Sequence, residues 1–259
     1  MKILTRAPGL PSIAYRAEGS GAPLVLVHGV GADASSWQDV AAHLARFRVI
    51  RLDLRGHGSS GVIREPLRAE DFARDVLDVM DVLGVPSARI AGFSLGGAVV
   101  QAVALAAPQR VEKLAILSAV AGRTPEEQAR ARDRVALLRK NGLAAIAASN
   151  RERWFTDAFR AAYPERVEAR VQQLLACDPE SYLQSFTVFS TTDYAERLHE
   201  IQAPALIATG EHDAGSTPRM AHLMRERIAG SKLEILPGLR HGLLVEAPEQ
   251  VAALLERFF

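Results

Sequence analysis

Cysteine is almost absent from this sequence. Cys177 is the only one among 259 residues, so no internal disulfide bond can form and no pair of cysteines is available for a zinc site. The ordinary interpretation of such a residue is a partly buried position on a helix. This composition is typical of a protein in a reducing compartment.

Long apolar runs and an excess of one charge are missing as well. No stretch approaches the roughly 18 apolar residues of a membrane-spanning helix, and the N-terminus lacks the apolar segment of a secretion signal. The 31 Lys and Arg against 30 Asp and Glu give a net charge of +1, without a basic cluster interleaved with aromatics. We therefore expect a cytoplasmic protein that binds neither membranes nor nucleic acids. Its arginines alternate with acidic residues, which is typical of solvated helix faces.

What the sequence does contain is an alternation of short runs rich in Val, Ile and Leu with longer helical patterns. The clearest predicted strands are residues 24–29, 48–54, 88–93, 113–119, 204–210 and 232–238. Residues 12–19 alternate by twos and predict an antiparallel edge strand. Helices are predicted near residues 36–45, 69–83, 95–106, 217–228 and 247–258. The alternation predicts an α/β fold with a mostly parallel sheet that is covered by helices on both faces.

This alternation stops between residues 121 and 195. The segment is helical in pattern, contains Trp154 and much of the remaining aromatic content, and is too long for a structureless loop. We interpret it as a helical cap inserted into a core formed by residues 1–120 and 196–259. Ligands of open α/β sheets bind beyond the carboxyl ends of the strands, so the cap is expected to cover a binding site there.

Three polar residues follow three of the predicted strands. Ser94 follows the third strand within the sequence Gly-Phe-Ser-Leu-Gly, Asp213 follows the fifth, and His241 follows the sixth. This order and the G-x-S-x-G turn are typical of one Ser-His-Asp triad arrangement. A serine hydroxyl is a weak nucleophile, so it needs a base, here His241, and that base needs an orienting carboxylate, here Asp213. Gly92 and Gly96 leave room for the sharp turn.

The sequence His-Gly-Val-Gly-Ala-Asp at residues 28–33 predicts a second part of the same site. It ends a strand and turns through two glycines, which leaves backbone N–H groups free to bind a developing oxyanion. The N–H groups of Val30 and Leu95 are the two expected donors, the latter at the positive end of its helix.

Each of these motifs is common on its own, and G-x-S-x-G often occurs by chance. Their placement at separate strand ends, in the required order, favours a working triad. His57 is a competing candidate for the base, although its sequence is more typical of a structural loop in which Asp53 and Arg55 brace the backbone. His212 adjoins Asp213 and is poorly placed to reach both partners.

With these residues in place, the chain resembles the α/β-hydrolase superfamily over nearly its whole length. The resemblance is carried by the segments LVLVHGVGADASSW, RVIRLDLRGHGSS, IAGFSLGGAVVQAVA, APALIATGEHD and LRHGLLVEAPEQVAALL. It implies the α/β-hydrolase fold, with an eight-stranded, mostly parallel sheet, and it implies that Ser94, Asp213 and His241 are catalytic.

Within the superfamily, the sequence is similar to the 3-oxoadipate enol-lactonases of bacterial aromatic degradation. The similar segments are RWFTDAFRAAYPERV, DPESYLQSFTVFSTTDYAERLHEIQAPALIATGEHDAGSTP and the spacing of His241, Glu246 and Pro248. This resemblance implies that Arg153 and Trp154 face the active site, where an Arg can clamp a carboxylate and a Trp gives a flat apolar wall. A helix-surface position for Arg153 and a core position for Trp154 are the alternatives.

The favoured function is hydrolysis of a small carboxylate-bearing ester, lactone or enol-lactone through an acyl-enzyme, without a metal or other cofactor. The same residues would serve a C–C bond hydrolase acting next to a ketone, or an amide hydrolase. A non-catalytic ligand receptor could also retain the triad. A haloalkane dehalogenase is excluded, because its nucleophile is a carboxylate and position 94 is Ser94. The expected partner is a small-molecule substrate, and a homo-oligomer is compatible with the sequence.

Overall fold

An eight-stranded sheet forms the centre of the computed structural model, which describes residues 1–259. Its strands are β1 (Lys2–Leu4), β2 (Ile13–Glu18), β3 (Ala22–Val27), β4 (Phe47–Leu52), β5 (Ala88–Phe93), β6 (Val111–Leu117), β7 (Ala205–Gly210) and β8 (Lys232–Leu236). Their order across the sheet is β1-β2-β4-β3-β5-β6-β7-β8. Strand β2 runs antiparallel to both of its neighbours, and all other neighbouring pairs are parallel. The predicted fold class, with its mostly parallel eight-stranded sheet, is confirmed.

The chain also forms ten α-helices, some of which cover the two faces of this sheet. They are α1 (Gln38–Ala41), α2 (Ala69–Val82), α3 (Leu95–Ala106), α4 (Pro125–Trp154), α5 (Asp157–Ala162), α6 (Pro164–Leu175), α7 (Pro179–Thr191), α8 (Pro218–Arg227), α9 (Leu243–Glu246) and α10 (Pro248–Phe258). None of them combines the length and the apolar character needed to cross a membrane.

The alternation of side chains along the strands explains why two cores exist. In β3, Leu24 and Leu26 are fully buried against the face covered by α1 and α10. Val25 and Val27 are fully buried against the other face, which α2, α3 and α8 cover. Because successive side chains of a strand point to opposite faces, a continuous apolar run needs helices on both sides.

Helices α4 to α7 lie between β6 and β7, within the segment that the sequence predicts to be a cap, and the name cap is kept for them. They share a small core of their own, in which Ile146 of α4 and Tyr182 of α7 are buried. Helix α4 is kinked at Gly142, which has φ 73° and ψ −174°, a conformation that is essentially restricted to glycine. The kink divides α4 into a first arm, residues 125–141, and a second arm, residues 143–154.

Two local expectations were wrong. The sequence predicts residues 12–19 as the edge strand, but β1 pairs with β2 and occupies the edge instead. Three residues are too few to produce a recognisable alternation. The helix predicted near residues 36–45 is reduced to a 3-10 turn at Ala34–Trp37 followed by the single turn of α1. The side chain of Asp33 accepts a hydrogen bond from the Ser35 N–H at 2.8 Å and so caps the start of the 3-10 turn.

Candidate active site

A serine with a strained backbone lies where β5 meets α3. Ser94 has φ 57° and ψ −115°, a region that residues other than glycine rarely adopt. A Cβ at Gly92 would lie 2.1 Å from the carbonyl oxygen of Gly96. A Cβ at Gly96 would lie 2.2 Å from the carbonyl oxygen of Val27, so both glycines are required by close backbone approach. The turn is held by a hydrogen bond of 2.9 Å from the Ser94 N–H to Leu117 O.

His241, in the loop after β8, links this serine to an acid. Its Nε2 lies 3.1 Å from Ser94 Oγ, and its Nδ1 lies 2.6 Å from Asp213 Oδ2. The structure therefore brings the three predicted residues together in one hydrogen-bonded chain. With Nδ1–H donating to the carboxylate, Nε2 is left to accept the proton of the serine hydroxyl. The N–H of Gly242 donates to Trp154 O at 2.7 Å, which ties the histidine loop to the cap.

Asp213 follows β7, and its side chain is fully buried. Its Oδ1 accepts hydrogen bonds of 2.9 Å from the N–H groups of Gly215 and Ser216. Burial alone would raise the pKa of Asp213, but the charge and hydrogen bond of His241, with these two N–H groups, outweigh it and lower the pKa. The carboxylate is therefore charged at neutral pH. His212, beside it, is exposed to solvent.

The predicted oxyanion donors lie on either side of the serine. A Cβ at Gly29 would lie 3.0 Å from Ser94 Cβ, so the loop after β3 packs directly against the nucleophile position. The N–H of Val30 donates to no other group of the protein. Leu95 is the first residue of α3, where an N–H has no intrahelical acceptor. Neither N–H group therefore has an acceptor within the protein, as an oxyanion donor requires.

Ser94 and His241 open into a cavity with two lobes. The polar lobe, of about 360 Å³, is lined by four arginines, Arg123, Arg130, Arg134 and Arg153. The apolar lobe, of about 50 Å³, is lined mainly by Phe93, Phe155, Leu244 and Val245. Val30 and Trp154 border both lobes. The lining of the polar lobe also includes Glu127, Asp133 and Asp213. A substrate held at Ser94 is thus offered a small apolar compartment on one side and a larger, arginine-rich one on the other.

The two predicted cap residues lie at the end of the second arm of α4 and border the cavity. Arg153 lines the polar lobe close to the acid loop, because a Cβ at Gly215 would lie 3.2 Å from its Nη2. Trp154 stands between the lobes, and the guanidinium of Arg170 lies 4.4 Å from the centre of its ring.

The sequence interpretation missed Arg134, which it assigned with the other arginines to solvated helix faces. Arg134 lies on the first arm of α4 and donates a hydrogen bond of 2.9 Å to the buried Asn150 of the second arm. Burial lowers the pKa of Arg134, and the positive charge of Arg153 lowers it further. Neither arginine forms an ion pair with a carboxylate. The feature of the sequence that could have identified Arg134 is its spacing from Arg130, because residues four apart share a helix face.

The competing base, His57, does not reach the serine. It is buried against His28, with 5.1 Å between the ring centres. The Nδ1 of His28 donates to Gly29 O at 2.7 Å, and its Nε2 accepts from the Leu54 N–H at 2.9 Å. Burial lowers the pKa of His28 to about 4 and that of His57 to about 3. Both imidazoles are therefore neutral groups that shape the loops.

Asp53 and Arg55 brace the backbone of the same loop. The carboxylate of Asp53 accepts hydrogen bonds of 2.8 Å from the N–H groups of Ala34 and Ser59. Arg55 donates two hydrogen bonds, of 2.6 and 2.5 Å, to the buried Asp75 of α2. These contacts fix the loops around the site without reaching the cavity.

Comparison with known proteins places this geometry among hydrolases. Residues 22–248 match the alpha/beta hydrolase fold family. The 3-oxoadipate enol-lactonase 2 of Acinetobacter baylyi is 31% identical over 242 residues, which cover 91% of this chain and 89% of the relative. The (E)-2-((N-methylformamido)methylene)succinate hydrolase of the same organism is 28% identical over 241 residues, covering 92% and 90%. The crystal structure of a hydrolase from Pseudomonas aeruginosa matches with a TM-score of 0.91 and 32% identity, over 99% of this chain and 97% of that one.

Proposed function

The chain belongs to the α/β-hydrolase fold family and is a hydrolase, and from this premise we propose that it cleaves a small carboxylate-bearing ester or enol-lactone through an acyl-enzyme on Ser94. One observation carries the proposal. The hydrogen-bonded chain of Asp213, His241 and Ser94 opens into a cavity lined by arginines that lack carboxylate partners. A triad alone is compatible with any acyl substrate, whereas unpaired guanidinium groups favour an anionic one.

In the proposed reaction, the Ser94 hydroxyl attacks the substrate carbonyl while His241 Nε2 takes its proton. Asp213 holds the imidazole in the required tautomer and stabilises the imidazolium. The N–H groups of Val30 and Leu95 bind the oxyanion of the tetrahedral intermediate. His241 then returns the proton to the leaving alkoxide or enolate oxygen. In the second half, His241 activates a water that hydrolyses the acyl-serine ester and releases the acid.

Each lobe accommodates a different part of the proposed substrate. The apolar lobe, at about 50 Å³, accommodates a short apolar group, and the polar lobe, at about 360 Å³, accommodates the part that bears the acid. Arg134 and Arg153 would hold the substrate carboxylate between the two arms of α4, which also relieves their mutual repulsion. The names of the two relatives fit this division, since both the enol-lactone of 3-oxoadipate and a substituted succinate carry carboxylates.

A second candidate function is favoured by the second relative. Its name describes a substrate with an N-methylformamido group, so hydrolysis of a C–N bond by the same triad is the alternative for this chain. The geometry required of Ser94, His241 and Asp213 is the same for an amide and an ester. Only the leaving group, protonated by His241, differs.

Turnover of matched substrates tests the proposal. Monoethyl adipate and ethyl hexanoate have the same chain length and differ in the terminal carboxylate. We expect kcat/KM to be at least about tenfold higher for the first, and 3-oxoadipate enol-lactone to be a substrate as well. Arg134→Met and Arg153→Met should remove this preference by raising KM for the acid, since a hydrogen bond to a charged group contributes about 1.5–3 kcal/mol.

Arg132→Met is the matched control, because Arg132 lies on the same arm of α4 but is exposed to solvent. It should keep the preference for the acid-bearing ester. Equal turnover of both esters, or a preference that survives in both cavity variants, would contradict the carboxylate assignment. Turnover of amides alone, or of vinylogous 1,5-diketones alone, would establish one of the rival reactions. Tight ligand binding without turnover would identify a receptor.

A further inference from the structure

Arg170 reaches from the cap into the core and ends beside the candidate oxyanion loop. It lies on α6, and its guanidinium donates hydrogen bonds of 2.7 Å to Gly31 O and 3.2 Å to Val30 O. The same group lies over the ring of Trp154 and lines the apolar lobe next to Ser94. One side chain therefore joins the cap, the loop after β3 and the cavity.

This guanidinium has no carboxylate partner. Burial lowers the pKa of Arg170, and the negative charge of Asp33 acts in the opposite direction. Removing a cation from water costs free energy, which a buried carboxylate ordinarily offsets. Here the cation of Arg170 contacts two backbone carbonyl oxygens and the ring of Trp154 instead of a carboxylate. Burying Arg170 without a carboxylate is therefore unfavourable for the stability of the fold. Its contacts point to a more specific role.

Arg170 is not the only side chain that anchors the cap, because its helix has other contacts with the same segment of the core. Arg166 Nη2 donates to Asp39 Oδ2 at 2.6 Å, and Gln173 Nε2 donates to Asp33 Oδ2 at 2.8 Å. Positions 166, 170 and 173 share one face of α6, following the helical repeat. Within this stripe, Arg170 differs in binding the backbone carbonyls of the loop, whereas the other two bind carboxylates.

We propose that Arg170 is a positioning residue that keeps the Val30 N–H directed at the oxyanion, an inference that rests on the proposed serine mechanism. Val30 lies between two glycines, and Gly31 has φ 67°, so the loop backbone can rotate more freely than an ordinary turn. By holding the carbonyl oxygens of Val30 and Gly31, Arg170 fixes the two peptide planes that follow the Val30 N–H. The donor is then already oriented when negative charge develops on the substrate oxygen.

The kinetics of Arg170→Met test this role on an uncharged ester such as ethyl butyrate, whose turnover does not depend on carboxylate recognition. Removal of an oxyanion donor lowers kcat by about 100- to 1000-fold, and a displacement of about 1 Å by up to about 100-fold. We expect kcat to fall by about 10- to 100-fold with KM changed less than about threefold. Methionine retains the apolar stem against Trp154. Arg170→Lys keeps the charge but not the fork that reaches two carbonyls, so we expect an intermediate loss.

Two further measurements separate positioning from a structural effect. Active-site titration with a fluorophosphonate, followed to completion, normalises kcat to competent sites. The Ki of an alkyl boronic acid, which forms a tetrahedral anion on Ser94, should rise in parallel with the loss of kcat/KM. The matched control is Arg166→Met, since Arg166 lies on the same face of α6 but contacts Asp39 and the ring of Phe159, neither of which lines the cavity. It should change normalised kcat by less than about twofold.

The assignment is wrong if normalised kcat of Arg170→Met stays within about twofold of the unaltered protein, if the loss lies in KM alone, or if Arg166→Met shows the same loss. Should Arg170→Met fail to fold, as judged by circular dichroism, Arg170→Lys decides, and an unchanged kcat then overturns the role. Absence of all ester turnover by the unaltered protein would refute the proposed function and this role together. Normal turnover with an unaffected Arg170→Met would refute this role alone.

Discussion

At the scale of single residues, Asp213 divides its two carboxylate oxygens between two tasks. Oδ2 accepts from His241, whereas Oδ1 accepts from the N–H groups of Gly215 and Ser216. An asparagine could retain the second pair of contacts with its carbonyl oxygen. Its NH₂ would then face the imidazole, whose Nδ1 would have to be the acceptor. In that tautomer Nε2 carries a hydrogen and cannot accept the proton of Ser94.

Asp213→Asn should therefore lower kcat by on the order of 10⁴, with the protein still folded. Steady-state kinetics on the preferred ester, with circular dichroism as a check on folding, measure this. Asp71→Asn is the control: Asp71 caps α2 by accepting from the Arg68 N–H at 2.9 Å, and the same change there should leave kcat unaltered. A kcat for Asp213→Asn within about tenfold of the unaltered protein would mean that Asp213 does not orient the base.

At the scale of elements, the kink in α4 brings together the two arginines that are proposed to hold the substrate carboxylate. Arg134 comes from the first arm and Arg153 from the second, with the Asn150 hydrogen bond between the arms. A straight helix would place positions 134 and 153 more than 25 Å apart, at about 1.5 Å per residue. Both line one lobe of the cavity only because Gly142 interrupts the helix.

Gly142→Ala should disturb this arrangement through backbone strain, since no atom lies within 4 Å of the added Cβ. We expect the free energy of unfolding to fall by about 1–3 kcal/mol, with a higher KM for the acid-bearing ester and little change for the uncharged one. Denaturant titration and kinetics measure the two effects. Gly230→Ala, at another open site with φ 67°, should lower stability but leave both KM values unchanged. An unaltered KM in Gly142→Ala would show that the kink does not set the cavity.

The secondary-structure elements also show how much of the fold and of the site could be predicted from the sequence. Buried parallel strands are continuous apolar runs, so most strands were predictable, and so were the residues that follow them, such as Ser94 and His241. Strand β1, with three residues, carries no such pattern. The role proposed for Arg170 depends on a contact with a loop 140 positions away in the chain. In the sequence it resembles Arg132, which is exposed, because tertiary packing alone decides which cap arginines face the cavity.

At the scale of the whole molecule, His28 and His57 link the fold to pH. Burial lowers the pKa of His28 to about 4 and that of His57 to about 3, against about 6.5 in an unfolded chain. Between these values, the unfolded chain binds protons that the folded chain does not accept. The free energy of unfolding should therefore be insensitive to these groups above pH 6.5 and should decrease as the pH falls below it.

We expect a loss on the order of 1 kcal/mol per histidine per pH unit between pH 6 and 4. Denaturant titrations across this range measure it. His57→Asn removes one of the two groups and should reduce the slope by roughly half, with Asn as a substitute for the Nδ1–H donor. His43→Asn, at an exposed histidine, should leave the slope unchanged. A slope that is the same in all three proteins would contradict the assignment of acid sensitivity to His57.

The mass of the intact protein after reaction with a fluorophosphonate tests whether Ser94 is an activated nucleophile. Ser118 supplies the control, because it too is buried with a positive φ, of 45°, but its hydroxyl has no hydrogen-bond partner. We expect one label per chain, located on Ser94, lost in Ser94→Ala and retained in Ser118→Ala. A label that persists in Ser94→Ala, or a folded protein that takes up none, would contradict it.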